Sequence, residues 1–257
     1  MKEQENVFKK RLQDLSKRAY YRGIAIFTDF LDLNELHIVH SFHPEESGIH
    51  VHFFGGYEGA ERQIAAFLPD ALSFEDETVL HEMYPIDCLK ISPCSVKYAE
   101  SLSHRDYLGA LLHLGIDRSK LGDIVIKEKD AYLFCLKQMS EFLLQNLEKV
   151  RHTNVTVSKV TNPSDLPRPD LKEIHGTVAS VRLDSMIALA FSSSRSSMIG
   201  LIEGGKVFVN GKMTISNGHP LKQGDIISVR GYGKFLFDGD ISATKKGRYS
   251  VTVYRYV

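Results

Sequence analysis

Apolar residues near the start of the chain recur at helical spacing: Phe8, Leu12, Leu15 and Ala19. Residues three and four apart share one helix face, so the pattern predicts an amphipathic opening helix. Its polar face carries Lys9, Lys10, Arg11, Lys17 and Arg18, a candidate polyanion-contacting surface set against an ordinary solvated one. Ile24, Ile26 and Phe27 suggest a short strand, and Asp32 is placed to cap a helix through Leu33, Leu36 and Val39. Ile49, Val51 and Phe53 alternate with His50 and His52, the period-two signature of a strand. The glycine-rich run at residues 55–59 is expected to lead into a helix containing Ile64, Ala65, Phe67 and Leu68.

Residues 86–91 read as a strand. Ser103 and Asp106 have the spacing of a capping box, opening a helix over residues 107–114 that Gly115 stops. Strands at 124–126 and 132–136 are joined by a turn at 127–130, and a helix over 139–150 and a strand at 155–157 follow. The order βαββαβ is the ferredoxin-like plan that RNA-recognition motifs share. The third strand lacks their signature of a basic residue, glycine and paired aromatics. Tyr132 and Phe134 are therefore read with core packing favoured over base stacking for at least one.

After a polar stretch bearing Pro163, Pro167 and Pro169, the period returns to helical. Leu183, Met186, Ile187, Ala190 and Phe191 make one apolar face, and Met198, Ile199 and Ile202 make a second, with a serine before it as cap and Gly204-Gly205 as its stop. Val207 and Val209 alternate as a strand, and Asn210-Gly211 is a strong hairpin signal of type I′. Gly224-Asp225 turns into a strand at Ile226, Ile227 and Val229. The organisation expected is α+β. A small N-terminal α/β module spans 1–78 and a ferredoxin-like, RRM-like module 79–162. A linker at 163–172 precedes a helix-pair-then-strand module at 173–257.

Charge sharpens this division. The chain is balanced, with 32 Lys and Arg against 32 Asp and Glu, but residues 172–257 hold 12 basic and 6 acidic residues. The remaining 20 basic and 26 acidic residues fall in 1–171, so a basic end follows an acidic body. Three cysteines (Cys88, Cys94 and Cys135) form no Cys-x-x-Cys pair and read as reduced thiols. The first residues lack a signal-peptide core, and no apolar run approaches the ~20 residues of a membrane span, so a cytoplasmic, non-membrane protein is expected. Residues 55–59 fit no phosphate-loop spacing. His37, His40, His43, His50 and His52 fit no zinc signature, so neither cofactor nor metal is expected.

Five elements in order then decide the reading: Arg182-Leu183-Asp184, Ser194-Arg195 opening the second helix, Gly204-Gly205-Lys206-Val207, Val209-Asn210-Gly211-Lys212, and Gly224-Asp225. The series resembles the S4 RNA-binding domain. The resemblance places RNA contacts at the start of the first helix, at the N-terminus of the second and on the hairpin. Residue by residue it nominates Arg182, Ser194, Arg195, Lys206, Asn210 and Lys212, with Lys234 a further candidate. Asp184 and Asp225 read as structural caps or turns. Arg195 and Lys206 read as exposed, so alanine at either is expected to change stability by no more than about 0.5 kcal/mol.

Over nearly its full length the chain also resembles the YlmH family of bacterial S4-domain proteins, whose gene lies in a cell-division cluster. Residues 28–32, 55–62, 103–112, 115–116 and 121–124 carry this likeness with the S4 segment, and Ser103-His104-Arg105-Asp106-Tyr107-Leu108-Gly109 is its most specific piece. The resemblance implies a non-enzymatic, monomeric factor. It would bind ribosomal RNA of the large ribosomal subunit and tRNA, beside other ribosome-rescue factors, in quality control of stalled nascent chains. Two alternatives stand against it. One is an RNA-modifying enzyme, because Arg182-Leu183-Asp184 echoes the Arg-Leu-Asp of pseudouridine synthases, although a Thr/Ser-Gly turn does not follow here. The other, which does not exclude RNA binding, is a cell-division adaptor using the acidic body.

Overall fold

In the computed structural model, which describes residues 2–167, 169–244 and 247–256, the opening periodicity forms α1 (Lys2–Arg22) and buries Leu12, Leu15 and Ala19. β1 (Ile26–Phe27) precedes α2 (Leu33–His40), whose capping box is complete. The Asp32 carboxylate accepts from the Asn34 and Glu35 N–H groups, and Glu35 accepts from the Asp32 N–H at 2.8 Å. β2 (Ile49–Phe54) and β3 (Ile64–Pro69) pair antiparallel, and β1 takes the other edge of β3.

β3 corrects the expected helix at 64–68. The run Ile64-Ala65-Ala66-Phe67-Leu68 is apolar at every position because β3 is the middle strand of three and all five residues are buried. Such a run carries no period by which a strand differs from a helix. The glycine loop before it therefore has no helix N-terminus to offer a phosphate. It wraps an internal anion instead: the Asp123 carboxylate accepts from the Tyr57 hydroxyl at 2.7 Å and from the Glu61 and Arg62 N–H groups at 2.8 and 3.1 Å.

Two short helices, α3 (Asp70–Ser73) and α4 (Glu77–Met83), lead to β4 (Ile86–Pro93). Then come α5 (His104–His113), β5 (Leu121–Lys127), β6 (Asp130–Leu136), α6 (Lys137–Asn146), β7 (Lys149–Val150) and β8 (Thr153–Lys159). The sheet order β5-β6-β4-β8-β7 is antiparallel throughout, the ferredoxin-like arrangement with β7 added as a hairpin. Leu89, Ile91, Leu133 and Cys135 on one face pack with Tyr107, Leu111 and Leu143 of α5 and α6. On the other face Cys88, Phe134 and Leu136 pack with Phe30, Ile64, Ala66, Leu68 and Tyr84. RNA-recognition motifs stack bases on that open sheet face; here it is covered. Phe134 is 1% exposed and stacks on Tyr57, so it is a core residue. Residues up to 168 consequently form one compact unit with cores on both faces of a shared sheet.

The second unit begins at residue 169. Its first strand, β9 (Leu171–Val178), starts inside the stretch read as linker. α7 (Leu183–Ala190), α8 (Arg195–Glu203), β10 (Val207–Val209), β11 (Lys212–Met213), β12 (Ile226–Val229), β13 (Gly233–Ala243) and β14 (Tyr249–Tyr256) follow. The antiparallel sheet runs β11-β10-β12-β13-β14-β9. Val207, Val209, Ile227, Val229, Phe235 and Val253 bury one sheet face against Leu183, Met186, Ile187, Met198 and Ile202 of the helices. Asn210 and Gly211 both have positive φ, +48° and +74°, as a type I′ turn requires. The overall fold is α+β. Among the described residues no single helix is long and apolar enough to cross a membrane.

Two outcomes follow from the first unit. Gly56 has φ +99°, and a Cβ there would lie 2.4 Å from the buried Phe134 ring. Gly56→Ala should therefore lower stability by about 2–5 kcal/mol in urea unfolding. Gly23→Ala, with φ +63° and open space around it, should cost only about 1 kcal/mol. The second outcome concerns His52, whose Nδ1 lies 2.9 Å from the Tyr84 hydroxyl. Burial, aided by His81, holds its pKa below the ordinary 6.5. The unfolded chain then takes up a proton that the folded chain refuses, so its contribution is intact above pH ~6.5 and falls as pH drops below that. Melting curves from pH 7.5 to 5 should show a steeper acid loss for the parent than for His52→Gln.

Candidate nucleic-acid interface

Every residue from Leu183 to Ile187 is buried, including a carboxylate, Asp184. A buried charge needs partners, and Asp184 has two arginines. With 2% of its side chain exposed, it pairs with Arg195 Nη2 at 2.5 Å and lies 3.8 Å from Arg182 Nε. It also accepts from the Ser185 N–H at 2.8 Å. The arginines are each about half exposed; Arg195 is hydrogen-bonded to the carboxylate, whereas Arg182, 3.8 Å away, is a looser ion-pair neighbour.

The backbone supports this arrangement. Arg182 is the extended residue preceding α7, and the loop at 216–220 covers the open end of that helix. The Leu183 N–H donates to the His219 carbonyl at 3.0 Å and the Asp184 N–H to the Asn217 carbonyl at 3.3 Å, satisfying groups a helix start leaves open. At Gly218 a Cβ would come within 3.3 Å of Arg182 Nη2, so glycine leaves the guanidinium its place. Ser194 caps α8, its hydroxyl accepting from the Ser197 N–H at 3.2 Å, and holds Arg195 at the first helical position.

The nominated residues thus fall into groups. Arg182, Ser194 and Arg195 are brought together by Asp184 and the α8 cap. Lys206 is exposed at the start of β10, and its carbonyl accepts from the Arg230 N–H at 2.9 Å. Arg230, exposed and stacked over the Phe208 ring, is a cation the sequence reading passed over. Its only signal was a basic residue ending a predicted strand. Lys212 is exposed on the hairpin. Asn210 also lies there, but its amide donates to Asp225 at 2.9 Å and its carbonyl oxygen accepts from the Ile226 N–H at 2.9 Å, fastening the turn. Lys234 stands apart. Its register partner is Ser228, on the sheet face opposite the helices, and its ammonium lies over the Tyr256 ring at 4.6 Å.

Asp225 is the turn residue expected, accepting also from the Lys222 N–H. Asp184 is more than a cap, and Arg195, exposed as expected, is nevertheless paired with it, so its loss is now expected to cost stability. The Arg-Leu-Asp aspartate is closed off from any substrate by burial and by its two arginines. Among the described residues no group of three or more His, Cys, Asp or Glu converges to hold a metal ion.

The helix pair, the twisted sheet and the arginines anchored at the helix junction define an S4-type RNA-binding protein. The S4 domain model matches residues 181–227, and a model described as "Putative RNA-binding domain in YlmH" matches residues 81–163, the ferredoxin-like part. The chain is 30% identical over 232 residues to the "Ribosome-associated protein quality control protein P2" of Bacillus subtilis (strain 168), covering 89% of this chain and 86% of that one. It belongs to the YlmH family of S4-domain proteins. A solved structure, "Cell division protein ylmH from Streptococcus pneumoniae", is 20% identical with a TM-score of 0.48, over 64% of this chain and 95% of that one.

Stability separates the anchored cations from the free ones. Arg195→Ala strands a buried carboxylate and should cost about 1–3 kcal/mol, less than a fully buried pair because the arginine is half exposed. Lys206→Ala should stay within about 0.5 kcal/mol. Chemical denaturation of the two variants gives the comparison, and equal losses would mean that Asp184 does not depend on Arg195.

Proposed function

We propose that this chain is a non-enzymatic factor that docks its S4 unit on ribosomal RNA of the large ribosomal subunit and on tRNA, serving quality control of stalled nascent chains with other ribosome-rescue factors. The observation that carries the RNA-docking part is the pair of half-exposed arginines gathered on one buried carboxylate at the junction of α7 and α8, Arg195 hydrogen-bonded to it and Arg182 3.8 Å away. Guanidinium groups held this way present donors in a set geometry to phosphates, with little side-chain ordering left to do on binding. The name of the Bacillus subtilis relative supports the ribosomal setting. Burial of Asp184 argues against uridine chemistry at the Arg-Leu-Asp sequence.

On this reading the RNA-contacting set is Arg182, Ser194, Arg195, Lys206, Asn210 and Lys212. Asn210 acts through the hairpin it fastens, and Lys234 serves only an RNA that also reaches the other sheet face. The test is sedimentation of the protein with separated ribosomal subunits and with tRNA across a salt series. Neutralising about four phosphates, with Arg182, Arg195, Lys206 and Lys212, should give a log–log salt slope of roughly −3 to −4. Lys206→Ala combined with Lys212→Ala should weaken large-subunit binding at unchanged thermal stability. Binding indifferent to that double variant, or equal binding to an unfolded RNA of the same length, would overturn the proposal.

A further inference from the structure

The last two turns of α1 combine cations and aromatic rings in a way the fold does not use. From residue 15 to residue 28 the chain has no Asp or Glu, while Lys17, Arg18 and Arg22 occur within six residues together with Tyr20 and Tyr21. All five side chains are exposed, Tyr21 by 80% and Tyr20 by 49%. Arg18, Tyr21 and Arg22 are spaced three and four apart and so share a helix face. Lys17 meets only Glu45, at 3.6 Å and with both side chains largely in solvent. Among the described residues neither Arg18 nor Arg22 has an acidic partner within 4.0 Å, although Asp14 precedes Arg18 by four.

A helix C-terminus favours a basic residue, which accounts for Arg22 but not for two tyrosine rings in water. The rings already contact each other edge to face, 5.4 Å between centres, so their orientation is set in part before any ligand arrives. Exposed rings flanked by unpaired cations are what sequence-tolerant single-strand binders use: bases stack on the rings while cations track the phosphates. The sheet face on which an RNA-recognition motif would do this is filled by Phe30, Ile64 and Tyr84 in this unit.

We infer that the C-terminal end of α1 is a second RNA-contacting surface, in which Tyr20 and Tyr21 stack unpaired bases and Arg18 and Arg22 hold the adjoining phosphates. The occupant is single-stranded RNA such as a loop, bulge or end, because a duplex hides its base faces. This rests on the chain being an RNA-binding protein but not on docking by the S4 unit, and the experiment keeps the two apart.

The chain has no tryptophan, so Tyr21→Trp in the full-length protein places a single reporter on the surface. Unstructured oligouridine of about twelve nucleotides should quench it, and a duplex of equal length should not. Tyr20→Ala with Tyr21→Ala should weaken oligouridine binding about 5- to 100-fold at unchanged melting temperature, while the double phenylalanine variant retains it. Arg18→Gln with Arg22→Gln should weaken binding and flatten its salt dependence. The Lys206→Ala and Lys212→Ala variant should leave the quenching intact whatever it does to subunit binding, so failure of the S4 reading has its own readout. Absent quenching, or unchanged affinity in the double alanine variant, overturns the inference. So does a variant that loses subunit binding yet keeps oligouridine affinity, which would assign the patch to a protein contact, or quenching by anionic lipid vesicles but not by RNA.

Discussion

The S4 surface depends on one carboxylate in the wrong place. Asp184 sits in the first turn of an otherwise apolar helix, 2% exposed, and is tolerable there only because Arg195 and Arg182 come to it. Burying an ion is expensive, and its pairing seldom recovers more than the cost, so the pair is poorly explained as a source of stability. What it gives is position. A free arginine samples many rotamers and must give that freedom up when it binds. Arg195 gives part of it up on folding, through its hydrogen bond to Asp184, and Arg182 lies beside the same carboxylate. The cost is charge, since the carboxylate cancels one of the two positive charges it orders. The surface is therefore organised for geometry more than for electrostatic strength.

The first unit shows how a fold can keep a topology and lose its usual surface. Its strand order is that of the ferredoxin-like plan, yet the face that would meet RNA is half of a second core. Three of the segments that carry the family resemblance, residues 28–32, 55–62 and 121–124, gather at this seam. Arg62 donates to the Leu121, Phe30 and Arg118 carbonyls, Asp123 closes the glycine loop, and a Cβ at Gly122 would strike the Phe30 ring at 2.7 Å. Burial lowers the Arg62 pKa, as expected for a guanidinium that ties backbone segments together rather than greeting a ligand. These motifs are explained by the joining of two sheets, and RNA contact need not be invoked for them.

What could be read from the sequence was whatever short-range rules determine. The cap at Asp32, the capping box at Ser103, the type I′ turn at Asn210-Gly211 and the βαββαβ order each rest on neighbours within a few residues, and each is present. β3 was misread because a strand buried on both faces leaves no alternation. β13 and β14 were not anticipated: Gly233, Asp238 and Gly239 interrupt the pattern, and the pairing shifts register between Phe237 and Ile241. The nominated cations came from a resemblance, and the structure supplies what a linear motif lacks. The link between Asp184 and Arg195 spans eleven residues and two helices, and the separation of Lys234 from the helix side follows only from sheet register.

Overall charge then says how such a protein can discriminate. Twelve basic residues in 172–257 stand against six acidic ones, and the rest of the chain carries the opposite excess. Counterion release scales with the phosphates neutralised, and the acidic excess of the rest of the chain opposes attraction to a polyanion at large. On the proposed reading its affinity comes from a few cations placed where a folded RNA puts phosphates at matching intervals, and an RNA of equal charge but different shape forfeits most of them. On that reading, holding Arg195 by a hydrogen bond to a buried acid sharpens the distinction. A strongly basic surface with mobile side chains would bind more tightly and choose less well. On these physical grounds, the electrical neutrality of the chain and the burial of Asp184 serve the same end.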